Sequence, residues 1–174
     1  QIRVIDTATR TVVGTPLTLP DSIERMAMNP TGTHLYVANG TYSVYVIRTA
    51  DNTMTEIPVG YNTYGIAVHP SGSFIYASDY TPRIAVIDAG TNTVSSSINL
   101  DHTGTGLSFN SDGTRAFVAL NGSLNVRIID TATHSLIDTI TAGGNFGFIY
   151  GSFVAPHRHV WSGDTSFTVK LSGL

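Results

Sequence analysis

The chain has 174 residues, and its nine lysines and arginines against twelve aspartates and glutamates give a net charge of −3. Eight of the nine cations are arginines and they do not cluster, which excludes the basic footprint of a nucleic-acid binder or of an anionic-membrane partner. The absence of cysteine excludes disulfides, thiolate chemistry and cysteine-ligated zinc, and no apolar run approaches the ~18 residues of a membrane helix.

Charged residues make up 12% of the chain, about half the usual quarter, so the polar surface comes from hydroxyls and amides, with 24 threonines among them. That composition suits an exported β-protein, and the expected location is extracellular, cell-surface or periplasmic. The chain opens inside a strand pattern without an initiator methionine, as a processed chain or a fragment would.

In chain order, the first expected elements are two strands, at residues 2–5 and about 11–17, forming a partial unit over residues 1–20. A repeat then begins. Isoleucine closes a short apolar run at Ile5, Ile47, Ile87 and Ile129, in steps of 42, 40 and 42, and a turn glycine recurs at Gly32, Gly72 and Gly113. Full units are expected at about 21–60, 61–101 and 102–142. The second of these shows four strands most clearly, at Gly65–Val68, Phe74–Ser78, Ile84–Ile87 and Thr93–Leu100. A degenerate unit follows at 143–174, with strands near 146–150, 158–161 and Ser166–Leu171. Short Val-, Ile-, Thr- and Tyr-rich runs at this period predict an all-β fold, a β-propeller or propeller segment with four-stranded antiparallel blades.

Turn chemistry separates the strands. Asn29-Pro30-Thr31-Gly32, His69-Pro70-Ser71-Gly72 and Asn110-Ser111-Asp112-Gly113 join the first two strands of a unit, and Asp6-Thr7, Asp88-Ala89 and Asp130-Thr131 open the turn between the last two. Runs such as Leu35-Tyr36-Val37-Ala38 are apolar at consecutive positions, which fits strands covered on both faces by neighbouring blades. Ala27, Ala67 and Ser108 are small residues in the first strand of each unit, as crowding at a propeller axis requires.

On these residues the chain resembles the YVTN-type β-propeller repeat. The stretches Leu35-Tyr36-Val37-Ala38-Asn39, Val4-Ile5-Asp6-Thr7-Ala8-Thr9 and Asn29-Pro30-Thr31-Gly32-Thr33 carry the resemblance, which covers residues 1 to about 142. It implies four-stranded blades in surface-layer-like or periplasmic proteins and no single conserved chemistry.

Three groups of residues stand out as candidate sites. Glu24-Arg25 puts charges at the entry to an inner strand, where the other units have Tyr64-Gly65 and Thr105-Gly106; Glu24, Arg25 and Tyr64 are the candidate ligand-binding set, with a local ion pair as the alternative. Asn39-Gly40-Thr41 and Asn121-Gly122-Ser123 match the glycosylation pattern, and Asn-Gly is also a favoured hairpin-turn pair. Asp79 at the equivalent place in the intervening unit favours the turn reading, and both asparagines are expected at exposed hairpin tips. His157 and His159 have the i, i+2 spacing of a shared metal, but no carboxylate flanks them. The other histidines, His34, His69, His102 and His134, occupy non-equivalent repeat positions. No nucleophile elbow, phosphate loop or carboxylate pair is present, and no cofactor is expected.

The expected function is a non-enzymatic scaffold for binding or assembly, and the alternative is a piece of a propeller enzyme related to lactonases or to quinone- or copper-dependent oxidoreductases. The strand count leaves end blades incomplete. The terminal strands are therefore expected to pair with another chain or with further sequence, and head-to-tail oligomers or filaments are one outcome.

Overall fold

A computed structural model describes residues 1–141, which form fourteen strands in four antiparallel sheets and contain no helix. Strands β1 (Ile2–Asp6) and β2 (Thr11–Leu17) make a two-stranded sheet. Blade 1 runs β3 (Arg25–Met28), β4 (His34–Ala38), β5 (Ser43–Arg48) and β6 (Met54–Pro58) in spatial order. Blade 2 contains β7 (Thr63–Val68), β8 (Phe74–Asp79), β9 (Arg83–Asp88) and β10 (Thr93–Asn99). Blade 3 contains β11 (Gly104–Phe109), β12 (Arg115–Leu120), β13 (Asn125–Asp130) and β14 (Ser135–Thr141). The first strands β3, β7 and β11 neighbour one another, which places the common axis on that side. The tail, with His157, His159 and the strands expected beyond residue 142, lies outside the described residues.

The turns use the chemistry that the repeat predicts. In each full unit the glycine donates back to the first turn residue: Gly32 to Asn29, Gly72 to His69 and Gly113 to Asn110, at 2.7–3.1 Å. Asp6, Asp88 and Asp130 each cap their own turn, their Oδ1 accepting two successive backbone N–H groups at 2.8–3.0 Å. The fifth residue of these turns adopts left-handed φ, at Arg10, Asn92 and His134. Asn52 does the same in blade 1, where Arg48 replaces the aspartate and pairs with Asp51.

Packing follows from the pleat. In β8, Ile75 and Ala77 face blade 1 while Tyr76 faces blade 3; in β9, Ala85 and Ile87 face blade 1 while Ile84 and Val86 face blade 3. Consecutive apolar residues are thus consumed on alternate sides, and the core consists of the seams between blades. Across the first two strands a small residue meets an aromatic: Ala27 pairs with Tyr36, Ala67 with Tyr76 and Ser108 with Phe117.

Strands β1 and β2 occupy the places of the third and fourth strands of a blade. Ile2 and Leu17 pack on Leu19, Val37, Tyr45 and Ile47 of the adjoining structure. Val4 and Ile5, however, are 61% and 60% exposed, whereas their repeat equivalents Val46, Ile47, Val86, Ile87, Ile128 and Ile129 are all within 3%. Val12 and Val13 across the hairpin are exposed too.

Candidate functional site

The loops joining second to third strands (residues 39–42, 80–82, 121–124) and those joining blades (18–24, 59–62, 100–103) meet at one end of the molecule. Backbone bonds fasten them together. Gly40 N–H donates to Thr63 O and Thr63 N–H to Thr41 O, Tyr80 N–H donates to Asn62 O, and Asn121 N–H donates to Thr103 O, at 2.8–3.2 Å. The Tyr42 carbonyl accepts from both Val59 and Gly60. Such cross-bonding holds a loop surface in one shape before any ligand arrives, which lowers the entropic cost of binding.

This face carries exposed rings. Tyr42, Tyr61 and Tyr80 are 66%, 49% and 50% exposed, and Leu124 in the equivalent loop of blade 3 is exposed too. Tyr64 meets Tyr80 edge-on with ring centres 4.4 Å apart, and the Arg83 guanidinium sits 5.0 Å above the Tyr61 ring. Arg83 is held by Asp79 at 3.1 Å and by the Val59 carbonyl at 2.8 Å. Partial burial, then the hydrogen bond with Tyr80 and the charges of Tyr80 and Glu24, push the Tyr64 phenol above its ordinary range.

Glu24, singled out in the sequence together with Tyr64, is near enough for its charge to act on the Tyr64 phenol. Glu24 is exposed and its side chain lies across Gly40, where a Cβ would stand 3.0 Å from Cγ. Arg25 begins β3 opposite Ala38 and is half-buried.

The expectation for the two sequons needs correction. Asn39 is completely buried: its Nδ2 donates to Ser43 Oγ at 2.9 Å and to Asp21 Oδ2 at 3.3 Å, and its Oδ1 accepts from Thr41 N–H at 3.0 Å. The blade-joining segment 19–24 folds over it, with Ser22 Oγ on the Asn39 carbonyl and Tyr45 on Asp21. Asn121 is partly exposed. At Asn39 the last paired residues are Ala38 and Val44, with five residues between them. Gly40 and Gly122 take the positive φ, and Asn39 and Asp79 each cap the N–H two residues on.

Sequence reasoning set His69 and His134 aside as unrelated, and the structure brings them together on the seam between blades 2 and 3. His69 Nε2 donates to the Gly113 carbonyl at 2.9 Å, and the ring stacks on Phe74 and meets Phe109 edge-on. His134 Nδ1 lies 2.7 Å from the hydroxyl of Tyr76, which is wholly buried. Among the described residues no group of three metal-ligating side chains occurs.

No family model matches the chain, and no curated protein does. Solved structures do. Hydrazine synthase of Kuenenia stuttgartiensis superposes with a TM-score of 0.69 at 24% identity over 77% of this chain and 40% of its own. The WD40 repeats of RRP9 give 0.68 at 14% identity over 74% and 41%. The β-propeller domain of Cps50 (Swd1) from Myceliophteria thermophila gives 0.70 at 17% identity over 82% and 49%. The chain thus spans less than half the length of each of these structures. With its helix-free, four-stranded antiparallel blades arranged about one axis, it has the β-propeller fold.

Proposed function

We propose that this chain is part of a YVTN-type, extracellular or cell-surface β-propeller scaffold. It binds through the tyrosine-bearing loop face and assembles through the β1–β2 end. The observation that carries the reading is the exposure of Val4 and Ile5 at positions buried in every full blade. Burying a valine or isoleucine side chain contributes about 1.5–3 kcal/mol, so these side chains, one on each side of the hairpin, and the edge of β1, which no strand pairs among the described residues, favour a partner. The occupant that fits is a repeat-type pair of strands, supplied by further sequence of the same polypeptide or by a second copy. The loop face offers rigid aromatic anchors and hydroxyls, which supports binding. The fold is also that of the WD40 repeats of RRP9, which supports a protein-binding role.

Sedimentation of the 174-residue chain at micromolar concentration tests the assembly. Species larger than 18.5 kDa are expected, and Ile5→Arg is expected to return them to monomer without unfolding. A compact wild-type monomer with fully protected β1 amides overturns the assembly reading.

A further inference from the structure

The seam between blades 2 and 3 differs chemically from the seam before it. At the blade 1–blade 2 seam, Pro30 packs against Gly72, with its Cδ 3.3 Å from where a Cβ would stand. At the blade 2–blade 3 seam the corresponding glycine, Gly113, is met by an imidazole. A Cβ on Gly113 would lie 2.7 Å from His69 Cε1 and closer still to Nε2. The turn residue of blade 3 in left-handed conformation is His134, where blades 1 and 2 have Asn52 and Asn92. The first seam therefore has no imidazole at either position, and the second has two.

Both rings are held by bonds to their ring nitrogens. His69 Nδ1 lies 3.1 Å from Ser71 N–H and accepts from it, so the ring proton sits on Nε2, where it meets the Gly113 carbonyl. The Tyr76 hydroxyl, with no exposure to water, lies 2.7 Å from His134 Nδ1, and the buried phenol hydrogen finds its acceptor there when Nδ1 carries no proton. A proton on Nδ1 would turn that acceptor into a donor and leave the phenol hydrogen to find another partner. Phe74 closes the cluster, stacked on His69 and edge-on to His134 at 5.0 Å. These contacts cross between blades: Tyr76 to His134 spans 58 residues and His69 to Gly113 spans 44.

We propose that the His134–Tyr76 contact is an acid-sensitive latch, which holds blade 3 against blade 2 while His134 is neutral and loosens the seam when His134 is protonated. The charged and titratable groups around it are few. Tyr76 comes from β8, Asp130 heads the turn that carries His134, and Asp112 and Arg115 flank Gly113 from the neighbouring turn and β12. Burial, followed by the charge of His69, lowers the His134 pKa, and Asp130 opposes this more weakly. The unfolded chain thus binds a proton more readily than the folded one. The stabilisation is complete above the ordinary histidine value near 6.5 and is lost as pH falls through the lower folded value. The aspartates that cap turns titrate below this window, so the two effects separate.

An NMR titration of the six imidazoles in the 174-residue chain, assigned with His69→Gln and His134→Gln, reads the latch directly. His134 is expected to titrate below about 6.5. Between about pH 7 and pH 5 the folding constant from urea unfolding is expected to fall about tenfold for each unit of that depression. Hydrogen exchange should speed in β11–β14 ahead of β3–β6. His134→Gln is expected to remove this pH dependence, and His34→Gln to leave it in place. A His134 midpoint at or above the ordinary value overturns the proposal. An undiminished pH loss in His134→Gln overturns it as well.

Discussion

Single residues in this molecule are constrained by what the neighbouring blade puts beside them. Gly32 and Gly113 show the difference. Both close the same turn with φ near +71 and +77, but nothing lies within 4 Å of a Cβ on Gly32, whereas the His69 ring already fills that space at Gly113. Gly32→Ala should therefore cost about 1 kcal/mol from left-handed strain alone. Gly113→Ala should cost roughly 1–3 kcal/mol more, because His69 must leave its place against Phe74 and the Gly113 carbonyl. Urea unfolding of the two variants measures the gap, and equal losses would show that His69 does not wedge the seam. The turn glycines were legible in the sequence, since their spacing repeats. The His69–Gly113 contact was not, because it joins non-equivalent positions of different units, and a period reveals only what recurs. Asn39 was misread for a related reason: its own hairpin exposes it, and a segment seventeen or eighteen residues earlier, carrying Asp21 and Ser22, covers it.

The elements were read almost as they stand. In the second unit the expected strands fall within one or two residues of β7 to β10, because period-2 packing and capped turns are both local properties. The aspartate-led turns carry a pH signature at this scale. In Asp6, Asp88 and Asp130, bonds from the backbone and hydroxyl of the threonine three residues on hold the carboxyl below its usual range. A carboxylate with a depressed folded pKa stabilises the fold above its unfolded value near 4, and that contribution is lost as pH falls through the folded value. The urea midpoint should thus be insensitive to these turns from neutrality down to about pH 5 and then decline below about pH 4. Asp88→Asn keeps an acceptor for Gly90 and Thr91 N–H and should flatten part of the decline. A decline equally steep in Asp88→Asn, Asp6→Asn and Asp130→Asn would remove these turns as its source. The fourth strands were less legible in their burial, since β10 and β14 are mostly exposed and their Ser- and Thr-rich sequence reads much like a loop.

At the scale of the whole molecule, stability is distributed by neighbours. Blade 2 has a hydrophobic seam on each side, through Ile75, Ala77, Ala85 and Ile87 toward blade 1 and Tyr76, Ile84 and Val86 toward blade 3. The β1–β2 sheet has one packed contact and leaves Val4, Ile5, Val12 and Val13 in water. In a stack of repeats each unit is held mainly by its own hydrogen bonds and its adjoining interfaces, so local opening should cost most in the middle and least at that end. Native-state hydrogen exchange is expected to rank β8 and β9 slowest and β1 fastest. Concentration then gives the ranking a second use. If the exposed β1–β2 hairpin is an assembly surface, raising the protein concentration should slow exchange in β1 selectively and leave β8 and β9 unchanged, because the partner adds strands only at the edge of β1. Slowing spread evenly over all blades would point to general stabilisation instead. Exchange in β1 as slow as in β8 at the lowest concentration would mean that the same polypeptide already covers the edge.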